Sequence, residues 1–475
     1  MPRSAMRGAS AITERTQMTR ITRREMLTEM IGAGMVLRFS SLASPALVQA
    51  AEARAVMSPA LKEFTGYRPS SDDEALLDEL QNATIQFFWE QASPTTGLVK
   101  DRSRADGSDT RDVASVAATG FGLTALCIAD QRGYIPTDKL RERVLTTLRY
   151  LRDMWTQHGF YYHFININNG QRAIKSEVSS IDTALLLAGV LSCRAHFADD
   201  EIHNVATQIV DRVDWPWMLD GDKTLSHGWR PEGGFIKWHW DSYSELMVMY
   251  LLGIGSATHA LSPESWDAWF RPTFEYEDLK YVGSFAPIFV HQYSHAWFDF
   301  RNKQDKYTDY FANSVIATQA HRLFNIDLSS QFKDYGDDLW GISSSDSVRG
   351  YVVWGGPPKM GPIDGSVVPG AVAGSLPFMP EHTLKVLWNM RQKYDQHGWR
   401  RYGFVDCFNP RTGWYDQDVI AINVGISLLM AENLRTGFVW DTFMKNDDAR
   451  RAMDLVGFKS TEQAQQTRFP RPTEK

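Results

Sequence analysis

The strongest constraint on the fold is a hydrophobic repeat of three and four residues that recurs along most of the chain. It runs through Asp73–Glu90, Ala114–Ala129, Thr137–Trp155, Ser180–His196, Glu201–Val213, Ser242–Ile254, Tyr307–Leu323, Pro380–Tyr394 and Val419–Arg435. That spacing puts apolar side chains on one face of a helix. Helix-start signals precede several of these windows: Ser71-Asp72-Asp73-Glu74, Pro136-Thr137-Asp138 and Pro380-Glu381. Clean alternation with period two is scarce, and Gly159–Ile167 and Arg401–Asn409 are the best candidates for short strands. The connections are long and carry Trp, Gly, Pro and Asp, with Ser343–Phe378 the extreme case. Loops of that length inside a folded chain usually serve function. Helices joined in this way predict an all-α toroid of paired helices, with long loops and a few short strands on one rim. No composition break follows residue 70, so one domain is expected over residues 56–460, with a polar, disordered tail at 461–475.

The N-terminus carries a different signal. Arg23-Arg24 follow Thr22 and precede Met26-Leu27; a moderately apolar stretch and small residues around Ala50 come next. This is the pattern of a twin-arginine export signal and linker in residues 1–55, cleaved near residues 50–55. The apolar run is short for a bilayer span and is broken by Arg38, so no stable membrane anchor is expected. The expected location is periplasmic or secreted in a bacterium, with the twin-arginine export machinery as a partner.

A net charge of −7 over 475 residues argues against nucleic acid as a partner. The 16 Trp, 17 Tyr and 25 Phe suit either a large aromatic core or a cleft whose rings face the flat C–H surfaces of sugars. No Walker loop, GxGxxG, GxSxG or HExxH occurs, which argues against nucleotide chemistry, the serine-hydrolase elbow and zincins. Cys127, Cys193 and Cys407 show no CxxC spacing, so core packing is the default and no metal or cofactor is expected.

Several polar groups stand out against apolar surroundings. Asp241 and Glu245 lie four apart in "WHWDSYSELMVMYLLGIGS". A helix over Asp241–Leu252 would put both on one face, and a carboxyl at the mouth of a buried helix has the raised pKa that a general acid needs. Trp238, Trp240 and Tyr243 flank them as candidate sugar contacts. Glu177 and Asp182 repeat the pattern ahead of "TALLLAGVL", where nearby serines can cap the helix without help from Asp182. In "HQYSHAWFDFR", His291, His295 and Asp299 form one polar stripe on a helix, with Gln292, Trp297 and Arg301 nearby. Substrate hydroxyls and satisfied buried polar groups explain that stripe about equally well, and a metal site explains it poorly. Trp354 and Asp364 sit in the long loop, in turn-forming "WGGPP" and "IDGS", which could close over a ligand. Trp414 is a further candidate platform.

In order along residues 75–455, the blocks "VASVAATGFGLTAL", "SEVSSIDTALLLAGVL", "WDSYSELMVMYLLGIGS", "GISSSDSVRGY", "DGSVVPGAVAGSLPFMPE", "YGFVDCFNPRTGWY" and "MAENLRTGFVW" resemble the glycoamylase-like proteins of glycoside hydrolase family 144. The resemblance implies an (α/α)6 barrel with a carbohydrate cleft. It also implies inverting hydrolysis of β-1,2-glucan to sophorose or longer sophorooligosaccharides. The family's W-x-Y-x-E glutamate falls on Glu245, which the resemblance makes the acid. An Asp expected before "ENLRTG" is replaced by Asn423, and an amide cannot serve as the base. Asp182, then Asp406, are the leading substitutes; Asp364, Asp416 and Asp418 are further candidates. The departure at Asn423 keeps open transglycosylation or hydrolysis of another glucan on the same fold; a non-catalytic glycan-binding protein is a third reading.

Overall fold

Two kinds of helix make up the chain, and their difference fixes where the core lies. In the computed structural model, which describes residues 67–284 and 287–461, the first kind is buried on every side. It comprises α2 (Val116–Arg132), α4 (Ser180–His196), α6 (Met247–Ile254) and α10 (Ala421–Arg435). Every residue is buried over 116–129, 180–193, 247–254 and 421–433. The second kind is one-sided: α1 (Ser71–Glu90), α3 (Thr137–Asp153), α5 (Asp200–Asp211) and α9 (Pro380–Lys393) bury one stripe and show polar residues to solvent. α7 (Tyr310–Asp327) and the short α8 (Pro369–Ala373) complete the main set.

The fully buried helices pack on one another in a ring. α2 touches α4, α4 touches α6, and α6 touches a 3-10 turn at Tyr293–Ala296; that turn touches α10, which returns to α2. α1 lies against α2 and α10, α3 against α2, and α5 against both α3 and α4. Apolar residues all round a helix force this inner position, because only neighbours on every side remove such a surface from water. Small residues allow the closest crossing. A Cβ on Gly189 would lie 2.1 Å from the Gly120 carbonyl oxygen, and one on Gly120 would lie 2.2 Å from that of Leu185. Farther along the same pair, the thiols of Cys127 and Cys193 meet at 3.7 Å.

The helical windows read from sequence match the observed helices to within a few residues, with one informative failure. The expected helix over Asp241–Leu252 starts only at Met247. Residues 241–243 are instead held extended against the chain at Phe270, where Tyr243 N donates to Phe270 O (2.9 Å) and Phe270 N to Asp241 O (2.8 Å). Asp241 and Glu245 therefore do not share a helix face. Likewise, the "HQYSHAWFDFR" segment is two 3-10 turns, Ile288–His291 and Tyr293–Ala296, and not one α-helix. The long loop at 343–378 has structure of its own: a hairpin pairs Ser345–Ser347 with Gly350–Val352, and α8 follows. Other strands are short two- to four-residue pairings. No helix among the described residues is long and apolar enough to cross a membrane. The twin-arginine segment, and all of the polar tail but Thr461, lie outside the described residues.

Gly189→Val is expected to lower unfolding stability by about 3 kcal/mol, because the new methyls must displace α2 backbone. Urea denaturation measures this, and an unchanged midpoint would contradict the close crossing.

Candidate active site

The starts of the buried helices are stitched together on one rim. Asp101 N donates to Val113 O (3.1 Å), and Asp101 O accepts from Ala421 N, the first residue of α10 (2.9 Å). Val116 N, at the start of α2, donates to His163 O (3.2 Å), and His163 N to Glu177 O (2.9 Å). Ser180 N, at the start of α4, donates to His227 O (3.4 Å). Arg102–Arg104 pairs with Asp418–Ile420, and Val178–Ser179 with Gly228–Arg230. Buried acids sit at or beside these helix starts.

One group centres on His163. Its Nδ1 lies 3.3 Å from Glu177 Oε1 and 3.6 Å from Asp182 Oδ2. Ser179 caps α4 by accepting from Asp182 N (3.1 Å), and its hydroxyl also donates to Asp182 Oδ2. Arg230 Nη2 is 3.7 Å from Glu177 Oε2. One ligand atom from each of His163, Glu177 and Asp182 lies within 4.8 Å of the others, a spacing a cation could bridge. The contacts already present among these side chains account for the arrangement without one.

The second group is a carboxyl cluster. The hairpin Phe408–Asn409/Trp414–Tyr415 returns the chain so that Asp406 and Asp416 flank its open end. Asp406 Oδ1 accepts from Asn423 Nδ2 (2.8 Å) and Oδ2 from Asp346 N (3.0 Å). Asp346 in turn holds Arg102 in a short ion pair. Asp416 Oδ1 accepts from Asp418 N (3.1 Å), whereas Oδ2 is buried with no hydrogen-bond partner. Arg111 Nη1 holds Asp418 at 2.6 Å. Burial, reinforced by the Asp346 charge, pushes Asp406 up to about 7. Burial, with the charges of Asp406 and Asp346, pushes Asp416 up to about 8. Like charges confined at low dielectric cannot all ionise, so this cluster holds a proton near neutral pH.

Glu245 is buried in the turn before α6. Ser294 fixes that turn: its hydroxyl donates to Glu245 O (2.9 Å) and accepts from Val248 N (3.0 Å), which replaces a side-chain N-cap. Trp240 packs on the adjoining wall, donating Nε1–H to Ser180 Oγ (3.0 Å) and stacking on His227 at 4.2 Å.

The other residues expected at the site make the following contacts. Tyr243 is fully buried with its hydroxyl 3.0 Å from His291 Nδ1; His295 Nε2 meets Ser314 Oγ at 3.0 Å. Burial pushes both His291 and His295 down to about 3, so both are neutral core groups. Gln292 Nε2 donates to Ala371 O and Ser375 Oγ, both at 2.8 Å, and buried Trp297 donates to Thr124 Oγ1 (3.0 Å). Arg301 pairs with Asp299 and lies over Trp440. Trp354 is buried with its Nε1–H on Ser345 Oγ, and exposed Asp364 caps the turn at Ser366 N. These contacts serve packing and turns, and Asp241 is exposed, outside the turn that holds Glu245. Trp238 and Trp414 keep part of their rings accessible, while Trp240 is nearly closed off. His163, Asp346 and Arg102 were not singled out by sequence. Asp416 had the better signal, because "NPRTG" between two short strands reads as a hairpin that returns it towards Asp406.

The chain is similar to several known proteins. Residues 237–447 match the Glycoamylase family, described as "Putative glucoamylase". An exo β-1,2-glucooligosaccharide sophorohydrolase (non-reducing end) from Parabacteroides distasonis is 26% identical over 423 residues, 81% of this chain. This chain spans 58% of the length of that curated relative. A "putative glucoamylase" from Bacteroides uniformis superposes with a TM-score of 0.76 at 27% identity, over 83% of this chain and 99% of its own. An endo-β-1,2-glucanase from Chitinophaga pinensis, in complex with sophorotriose and glucose, shares the glycoamylase-like fold: TM-score 0.76, 24% identity, 82% of this chain and 99% of its own.

The raised pKa of Asp416 makes a signed prediction. A folded-state value above the unfolded one gives stability that is full below pH ~4 and is lost as pH rises through about 8. Asp416→Asn is therefore expected to be more stable than the native chain at pH 9, by about 1 kcal/mol or more, and nearly equal to it at pH 4. Urea unfolding at the two pH values checks this, and equal destabilisation at both would contradict it.

Proposed function

We propose that this protein is an exported glycoside hydrolase of the family 144 type, cleaving β-1,2-glucan with inversion on a single (α/α)6 barrel over residues 56–460. The observation that carries this reading is the set of buried carboxyls brought to one rim of a ring of helices. The ring of contacts through α2, α4, α6 and α10 suits a barrel. The activity of the Parabacteroides relative supplies the substrate class. Products are sophorose or longer sophorooligosaccharides, and a twin-arginine signal takes the protein to the periplasm or beyond.

Inversion needs an acid on the leaving oxygen and a base that activates water on the opposite face, with carboxyls roughly 6.5–9.5 Å apart. Glu245 is the acid: it is buried, and its turn is locked by Ser294. The base is drawn from the Asp406–Asp416 pair. Both oxygens of Asp406 already accept hydrogen bonds, whereas Asp416 Oδ2 has no hydrogen-bond partner, which favours it as the oxygen that takes a proton. A carboxylate whose pKa lies near the working pH is the stronger base. Asn423 then serves the acid beside it by hydrogen bonding and need not be a base itself. Asp182, held by Ser179 and close to His163, fits sugar binding better than water activation.

Native protein is expected to release reducing sugar from linear β-1,2-glucan. Glu245→Gln and Asp416→Asn should each lower kcat by about 10²–10⁴-fold. A fully active Glu245→Gln protein would overturn the acid assignment, and a fully active Asp416→Asn protein the base.

A further inference from the structure

A second aromatic site lies behind the rim. Tyr162 and His163 are neighbours on an extended segment that bridges to Val178, so their side chains face opposite ways. His163 turns to Glu177 and Asp182, and Tyr162 turns to a separate cavity of about 460 Å³. That is the size of ordinary small-ligand pockets, ~300–1,000 Å³.

Its construction suits a sugar. Trp155 follows α3 and stacks on Tyr162 with ring centres 4.8 Å apart and planes 18° apart, yet 52% of its surface stays exposed. An exposed indole held flat in this way has an apolar face that the fold itself does not cover. The Arg172 guanidinium sits over the same Tyr162 ring at 5.2 Å. Arg172 is fixed on its other side by Glu232 and by the Lys175 carbonyl (2.9 Å), so its plane is set before any ligand arrives. Gly170 shapes the cavity: at φ +64°, a Cβ there would lie 3.0 Å from Tyr150 Oη and would narrow the floor. Gln171 and Asn169 add planar amides at the wall, where hydroxyls need donors and acceptors. None of these groups belongs to the catalytic cluster.

We infer that the Trp155–Tyr162–Arg172 pocket is a secondary glucan-binding site, which holds a stretch of the polysaccharide outside the cleft and raises the effective concentration of chain at the rim. This rests on the proposed action on a glucan, though not on which carboxyl is the base. A tethered polymer gains by proximity without a new contact at the scissile bond. The site should therefore affect long chains and leave short ones unchanged.

The test compares native protein with Trp155→Ala by affinity electrophoresis in gels containing linear β-1,2-glucan, and by kinetics on that polymer and on a short sophorooligosaccharide. Trp155→Ala is expected to lose most of the retardation and to raise KM for the polymer several-fold. Its kcat and KM for the short substrate should match the native values. Equal retardation of the two proteins, no retardation of either, or a matching loss on both substrates would overturn the inference. Failure of the functional reading looks different: the native protein would release no sugar from either substrate, whatever the gel shows. Thermal denaturation of Trp155→Ala alongside keeps misfolding from being read as lost binding.

Discussion

At one rim, backbone hydrogen bonds tie the starts of α2, α4 and α10 to one another, and the acids of the site ride on or beside those starts. Asp101 alone joins two of them, donating to Val113 and accepting from Ala421. Helix starts leave backbone N–H groups unsatisfied, and short strand pairings between neighbouring helices satisfy them here. The same pairings bring carboxyls far apart in sequence, from Glu177 to Asp418, into one region. Without the stitching, each acid would belong to a separate loop.

The inner helices make that rim expensive to disturb. They are buried on all sides, and α2 and α4 approach so closely that only glycine fits at residues 120 and 189. Rigidity here matters for the proposed chemistry, because an inverting mechanism fixes the distance between two groups as well as their identity. The electrostatics point the same way. Asp406 and Asp416 are held near neutral pKa by burial and by Asp346, at a cost in stability above neutral pH. Natural sequences tolerate such a cost where the chemistry needs it.

Much of this was legible in the sequence because helices announce themselves locally. The apolar period located nearly every main helix, and a serine cap for the helix that carries Asp182 was foreseeable; the structure gives that place to Ser179. Glu245, Asp182 and Asp406 do lie in buried positions on or near the helix starts. What failed depended on distant partners. The helix expected at Asp241 is unmade by hydrogen bonds to Phe270, which no local pattern reveals. The His291–His295 stripe had the polarity of a site, and the structure buries it against Tyr243 and Ser314 from other elements, with His295 Nδ1 left without a hydrogen-bond partner. Asp346 gains its meaning only by meeting Asp406, and Arg102, from far earlier in the chain, by pairing with Asp346. Asn423 looked like the loss of a base, and the structure shows its amide donating to the acid next to it.

The most direct test of the central claim is the anomeric form of the sugar released at the first moments of reaction with linear β-1,2-glucan, followed by proton NMR before mutarotation. Inverting hydrolysis predicts that the new reducing end appears first as the α-anomer. Appearance of the β-anomer first, or release of sugar from laminarin or starch but none from β-1,2-glucan, would contradict the account.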